Sequence, residues 1–258
     1  MYWLHQLPVV WMALVVFAGI AVATALIYWA VLALAARGWM PAFKAVSSVM
    51  LTPLAVVFGL IVGFLAAQAW SDAERANGAV IREAGALRTV LLLATSFPDP
   101  TEARIQALVR RHIRDAVDNE WPAMARQQAV LPTITPEDIE ALETILSLHP
   151  QSEPQTIAQR EIISAVRSAL EARQERIIIS RAKINWVKWT VVLLLAGLIL
   201  VTIAMVHSDN RSTAAIAMAL FSIGVAACVV LIASHNRPFT GEISVGPDLL
   251  MQVMPQER

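Results

Sequence analysis

Four long apolar blocks alternate with polar sequence along the chain. They run from about Val9 to Ala36, Ala45 to Ala69, Trp189 to Val206 and Thr213 to Ser234. None contains Asp, Glu, Lys or Arg. Each is close to or above the ~20 helical residues that cross ~30 Å of hydrocarbon. The pattern predicts an all-α membrane protein with four transmembrane helices and a helical cytoplasmic domain inserted between spans two and three. The expected segments are a transmembrane hairpin over 1–69, a cytoplasmic helical domain over 70–186, a second hairpin over 187–235 and a cytoplasmic tail over 236–258.

Tryptophans mark the span ends. Trp3, Trp11, Trp70, Trp186 and Trp189 fall at one set of ends, and Trp29 and Trp39 near the other. Amphipathic rings favour the membrane–water interface in this way. Trp121 alone lies far from any span.

The polar segment reads as helical. No proline interrupts 54–97, so span two is expected to continue into the cytoplasm as one long helix. Gly59, Gly63, Ala66, Trp70, Ala73, Val80, Ala84, Leu87 and Leu91 recur at spacings of three, four or seven, which predicts one continuous helix face. Phe97-Pro98-Asp99-Pro100 ends that helix. A new one is expected to start with Asp99 as N-cap and Pro100 at the first position. Its apolar face is Ile105, Leu108, Val109, Ile113 and Val117, and Glu120-Trp121-Pro122 closes or kinks it. Residues 127–134 read as a loop, and Thr135-Pro136-Glu137-Asp138 starts a short helix to about Leu148. From Gln155 onward there is no proline before Pro238 and no glycine before Gly197, so a second long helix is expected to run straight into span three. Pro247 opens a short terminal helix.

Composition agrees with the pattern. Hydrophobic residues make up 57% and charged residues 16% of the 258, whereas soluble domains carry about a quarter charged residues. Twenty basic and twenty acidic residues cancel, which argues against nucleic acid as a partner. The single cysteine, Cys228, allows no intrachain disulfide. The first basic residue is Arg37, so the amino terminus lacks the basic region of a signal peptide and is expected to be a retained span. Four spans put both termini and residues 70–186 on one side. Arg181, Lys183 and Lys188 near span three place that side in the cytoplasm. The expected location is the bacterial inner (plasma) membrane.

No Walker A, dinucleotide, zinc-protease or nucleophile-elbow motif occurs, so no enzyme, cofactor or metal site is expected. His5, His112, His149, His207 and His235 are scattered and read as surface or interfacial residues rather than ligands. His207, Asp209 and Arg211 form either a polar hairpin or an ion-attracting vestibule. The uncharged spans count against a proton-driven carrier, which places ionisable groups at mid-membrane. A channel with an apolar constriction needs none.

Gly59-x-x-x-Gly63 lets helices approach closely. With Pro53, Ala66 and Trp70 it marks either a pore-lining or subunit-contact face, or packing inside one four-helix subunit. Glu83 is placed to pair with Arg173 or Arg176, or to face solvent. Glu120, Trp121 and Pro122 form a docking corner or a buried cap of the bundle.

Glu83-Ala84-x-Ala86-Leu87, Glu120-Trp121-Pro122 and Arg237-Pro238-Phe239-Thr240-Gly241-Glu242-Ile243-Ser244-Val245, in this order around paired spans, resemble the bestrophin-like membrane proteins of unknown function. The resemblance covers roughly 49–250. It implies structural roles for Glu83, Glu120, Trp121, Pro122, Pro238, Phe239 and Gly241. It also implies a distant likeness to bestrophins, pentameric anion channels whose second span lines the pore. The aromatic-rich neck and acidic calcium clasp of true bestrophins are not found. Two functions follow as expectations. One is a homo-oligomeric channel in the lipid bilayer passing small inorganic ions, anions first, with span two at the pore. The other is a non-conducting scaffold or signalling protein whose cytoplasmic helices bind a soluble partner.

Overall fold

The computed structural model describes residues 8–44, 46–130, 136–182 and 184–256. Trp3, His5, Ala45, Thr135 and Lys183, used above, lie outside them. Among the described residues there is no strand. The helices are α1 (Val9–Leu34), α2 (Met40–Lys44), α3 (Leu51–Ala94), α4 (Asp99–Asp115), α5 (Trp121–Ala125), α6 (Pro136–Leu146), α7 (Glu153–Ser180), α8 (Trp186–Val206), α9 (Arg211–His235) and α10 (Asp248–Val253). Four helical stretches, built on α1, α3, α8 and α9, are long and apolar enough to cross a membrane.

The chain forms two compact units. The first comprises residues 1–71, 183–237 and 241–243. Its core joins Val31 of α1 and Phe58 and Leu65 of α3 to Val192, Ile199 and Ile203 of α8 and Met218, Val225 and Ile232 of α9. Thr24 and Ser222 hydroxyls meet at 2.6 Å across α1 and α9. A hydrogen bond of that kind between membrane helices contributes about 1 kcal/mol. Beyond α1 a π-helical turn, Ala35–Trp39, contains Gly38 at φ 94°, a conformation open to glycine.

The second unit comprises 72–182, 238–240 and 244–258. Ile105, Val109 and Ile113 of α4, Ile145 of α6, Ile162 and Ala169 of α7, and Leu250 of α10 form its core with Val80, Leu87 and Val90 of α3.

Two local expectations are corrected. The proline-free stretch from Gln155 does not run as one helix into span three: α7 ends at Ser180 and α8 begins at Trp186. Asn185 is the reason, because its side chain accepts the Val187 N–H and caps a new helix. Asn236 reinforces the break by accepting the Ile184 N–H at 2.8 Å. Asp99 is the first residue of α4 rather than its cap: Pro98 holds the cap position in an extended conformation, and no side chain caps the helix. The expected stripe does lie along one continuous helix, α3, but its surroundings change along it. Gly59, Gly63 and Trp70 are exposed, while Val80, Ala84 and Leu87 are buried. Periodicity finds a helix face but does not say what covers it.

Candidate functional site

In the membrane unit, α3 turns Phe58, Leu65 and Ala69 into the core. Rotation of about 100° per residue carries Gly59 and Gly63 off that face, and both are exposed. A Cβ built on either glycine meets no atom within 4 Å. The glycines therefore serve no close helix contact within one chain. Ala66 is half-buried beside them. Pro53 is exposed in the first turn of α3, where a missing N–H costs nothing. Trp70 is 57% exposed, and its ring stacks on His235 at 5.8 Å and 5°. No charged side chain occurs between Leu51 and Ser71. Within one chain only 6% of the apolar windows of α1 and of α3 is buried, against 33% for α8 and for α9.

In the helical unit, α3, α7 and the π-helical turn Ala116–Glu120 converge on a buried ion cluster. Arg176 donates from Nε to Glu83 Oε2 at 2.8 Å and from Nη2 to Glu83 Oε1 at 3.1 Å. Arg176 Nη2 also reaches Glu120 Oε2 at 2.7 Å, and Arg173 Nε donates to Glu120 Oε1 at 2.6 Å. His112 Nε2 lies 2.9 Å from Glu83 Oε1. Burial alone pushes the Glu83 carboxyl up. The hydrogen bond with His112 and the charge of Arg176 outweigh it, so the carboxyl is held below its ordinary value. Burial likewise pulls the Arg176 guanidinium down, but the Glu83 and Glu120 charges hold it above its ordinary value.

Trp121 completes this cluster and connects it to the tail motif. The Arg176 guanidinium lies 4.4 Å over the Trp121 ring, and Phe239 packs edge-on at 5.9 Å. The Trp121 indole N–H donates to the Val245 carbonyl at 3.1 Å, while the Val245 N–H donates to Pro238 O at 2.7 Å. Thr240 Oγ1 donates to Ala125 O at 2.7 Å. Pro122 sits half-buried in the first turn of α5, and Gly241 takes φ 98°. Three short motifs far apart in sequence are thus joined, the tail directly at the Trp121 ring and Glu83 through Arg176. The two carboxylates and two guanidiniums balance, so the cluster orders helices rather than presenting a reactive group.

Sequence reasoning missed His112. The signal was available: His112 follows Ile105 by seven residues and Val109 by three, on the buried face of α4. Met124, whose sulfur accepts from Arg176 Nη1 at 3.5 Å, carried no signal beyond its apolar character.

A family profile for the bestrophin-like domain matches residues 18–250. The chain belongs to the bestrophin-like family. Its fold is that of solved bestrophin homologs. A variant of a bacterial bestrophin homolog from Klebsiella pneumoniae superposes with a TM-score of 0.72 at 9% identity, covering 94% of this chain and 97% of that one. A second variant from that organism gives 0.69 at 10% identity, covering 90% and 94%. A structure described only as a membrane protein gives 0.69 at 10% identity, covering 92% and 96%. No curated protein matches the chain.

Proposed function

We propose that this bestrophin-like protein is the subunit of a homo-oligomeric ion channel, anion-conducting, with α3 lining the pore. The observation that carries the reading is the outward face of α3. It is uncharged, and at Gly59 and Gly63 it leaves open space within its own chain. Small residues on a membrane helix permit close approach, and an apolar constriction gates by dewetting without charged groups. This face carries charge of neither sign, so the choice of anions rests on family likeness. The pentamer rests on family likeness, and a cytoplasmic place for residues 70–186 in the bacterial inner membrane rests on the basic residues near the span ends. Purified protein reconstituted in planar bilayers under a KCl gradient is expected to carry current reversing near the chloride potential. Folded, oligomeric protein that carries no current overturns the reading.

A second reading is a non-conducting scaffold. Exposed Ile81, Leu92, Ile157 and Ile178 on the helical unit favour it, because they offer apolar contact outside the core. In the channel reading the same side chains are expected to lie between subunits. Site-directed cross-linking from Leu92 separates the two: adducts between copies of the chain support the channel, and adducts only with another protein support the scaffold.

A further inference from the structure

Two openings in the membrane unit adjoin at Tyr28. The larger is a groove of about 300 Å³ between α1 and α9, walled by Ile20, Ala21, Ala25, Met218, Ala219 and Ile223. The Thr24 hydroxyl donates to Ile20 O at 2.8 Å, so Ser222 is the donor in their 2.6 Å contact. Both hydroxyl protons are thus spent, and hydrocarbon in the groove deprives no donor of its partner. From Phe17 to Tyr28 the groove rises about 16 Å along α1. That is half of the ~30 Å hydrocarbon core, the depth of one leaflet. A transmembrane helix of another subunit would need a groove about twice as long.

The smaller opening, a cleft of about 10 Å³, lies where α8 turns into α9. Tyr28, His207, Ser208 and Arg211 bring polar groups to it, and no carboxylate among the described residues lines it. His207 Nδ1 donates to Ile203 O at 3.0 Å, and the Tyr28 hydroxyl donates weakly to Arg211 O at 3.4 Å. The Arg211 guanidinium and the Ser208 hydroxyl make no hydrogen bond or ion pair among the described residues. Asp209 is exposed in the turn beside the cleft. An uncommitted guanidinium at the mouth of an apolar, leaflet-deep groove suits a phosphodiester with a hydrocarbon chain beneath it. We infer that α1 and α9 hold one anionic phospholipid of the phosphatidylglycerol type. Its phosphate lies at Arg211, with the Ser208 and Tyr28 hydroxyls as further donors, and one acyl chain fills the groove. A zwitterionic headgroup fits less well, because it brings an ammonium to the same guanidinium. The site is independent of whether the protein conducts.

The test uses the full-length protein in detergent, freed of lipid and titrated with phosphatidylglycerol or with phosphatidylethanolamine of the same acyl chains. Native mass spectrometry counts the lipid retained. Phosphatidylglycerol is expected to saturate at one molecule per chain and to bind about fivefold more tightly than phosphatidylethanolamine. Arg211→Gln should erase that preference. Ala219→Phe places a ring in the groove and should abolish saturable binding of both lipids while the oligomer survives. If that variant does not fold, Arg211→Gln still decides, because its side chain is exposed and has no partner to lose. Lipid uptake that does not saturate at one per chain overturns the inference. So does equal affinity for the two lipids, or an Arg211→Gln protein that keeps the preference. An Ala219→Phe oligomer that dissociates while its subunits bind lipid undiminished assigns the groove to a second copy of the chain, and overturns it as well.

Discussion

Arg176 grips both carboxylate oxygens of Glu83, at 2.8 and 3.1 Å, with both side chains wholly removed from solvent. The two residues are 93 positions apart and tie α7 to α3. A buried pair of this kind gains little over apolar packing while both partners are present, because taking two charges out of water offsets their attraction. Breaking it is another matter, since Arg176 is left wholly buried with Glu120 alone of its two carboxylates. Glu83→Gln is therefore expected to destabilise the helical unit by about 3–5 kcal/mol, read as a lowered midpoint in denaturant. Glu83→Leu combined with Arg176→Met should cost less than the two single changes added together, because no lone charge remains. Additive losses would show that the pair is not coupled.

The direction of the Glu83 shift sets a pH dependence. Its carboxyl is held below the ordinary value in the folded protein. The folded state therefore binds this proton less readily than the unfolded chain. Stability from this group is complete above the unfolded carboxylate value, about 4.3, and is lost as pH falls from there through the lower folded value. Unfolding midpoints between pH 7 and pH 3 should show the loss at the acid end. Glu83→Gln should lack the part due to this residue, and an unchanged acid slope in that variant would assign the dependence to other groups.

The spans were legible because membrane helices announce themselves by length and lack of charge. Val9, Trp186 and His235 stand within three residues of the expected ends. The break before α8 was harder, because a single Asn185 in an otherwise helix-favouring stretch reads as tolerable until its side chain is seen on the Val187 N–H. The ion cluster was half visible. Glu83 and its candidate arginines were in view, but the choice of Arg176 over Arg173 depends on which face of α7 is buried. His112 was hidden by the habit of reading histidines for metal spacing rather than for their place on an apolar face. What covers Gly59 and Gly63 is not written in one chain's periodicity at all, because a face that meets another subunit and one that meets lipid have the same pattern.

Trp121 makes two separable contributions. Trp121→Phe keeps an aromatic face beneath Arg176 but loses the hydrogen bond to Val245 O, leaving that carbonyl unpaired. The expected cost is about 1–3 kcal/mol. Phe239→Ala empties a buried aromatic site and should cost about 3–5 kcal/mol. Limited proteolysis should cut the tail faster in both variants, and faster in Phe239→Ala. Equal, wild-type cleavage in the two would mean the tail is not held at this ring.

The charge asymmetry across the spans predicts topology. In a Cys228→Ser background, Ser208→Cys lies in the short turn between α8 and α9, and Gln151→Cys lies ahead of α7. In intact cells an impermeant maleimide should label the first and not the second, and permeabilisation should expose the second. The reverse pattern would place residues 70–186 outside.

The sharpest test of the pore reading uses Gly63. A side chain there meets open space within the chain, and leucine is a better helix former than glycine, by roughly 0.5–1 kcal/mol. Gly63→Leu should therefore fold at least as well as the parent subunit, with equal helix content. If this face lines a pore, leucine in every subunit narrows the constriction, and current should fall at least tenfold while the oligomer survives. If the face is a contact between subunits, the glycine is needed for close approach, and the oligomer should dissociate on size exclusion. If the face meets only lipid, current and assembly both stay at wild-type values, and α3 loses its place at the pore. The three outcomes differ in two independent readouts, so a loss of current alone cannot be mistaken for a loss of assembly.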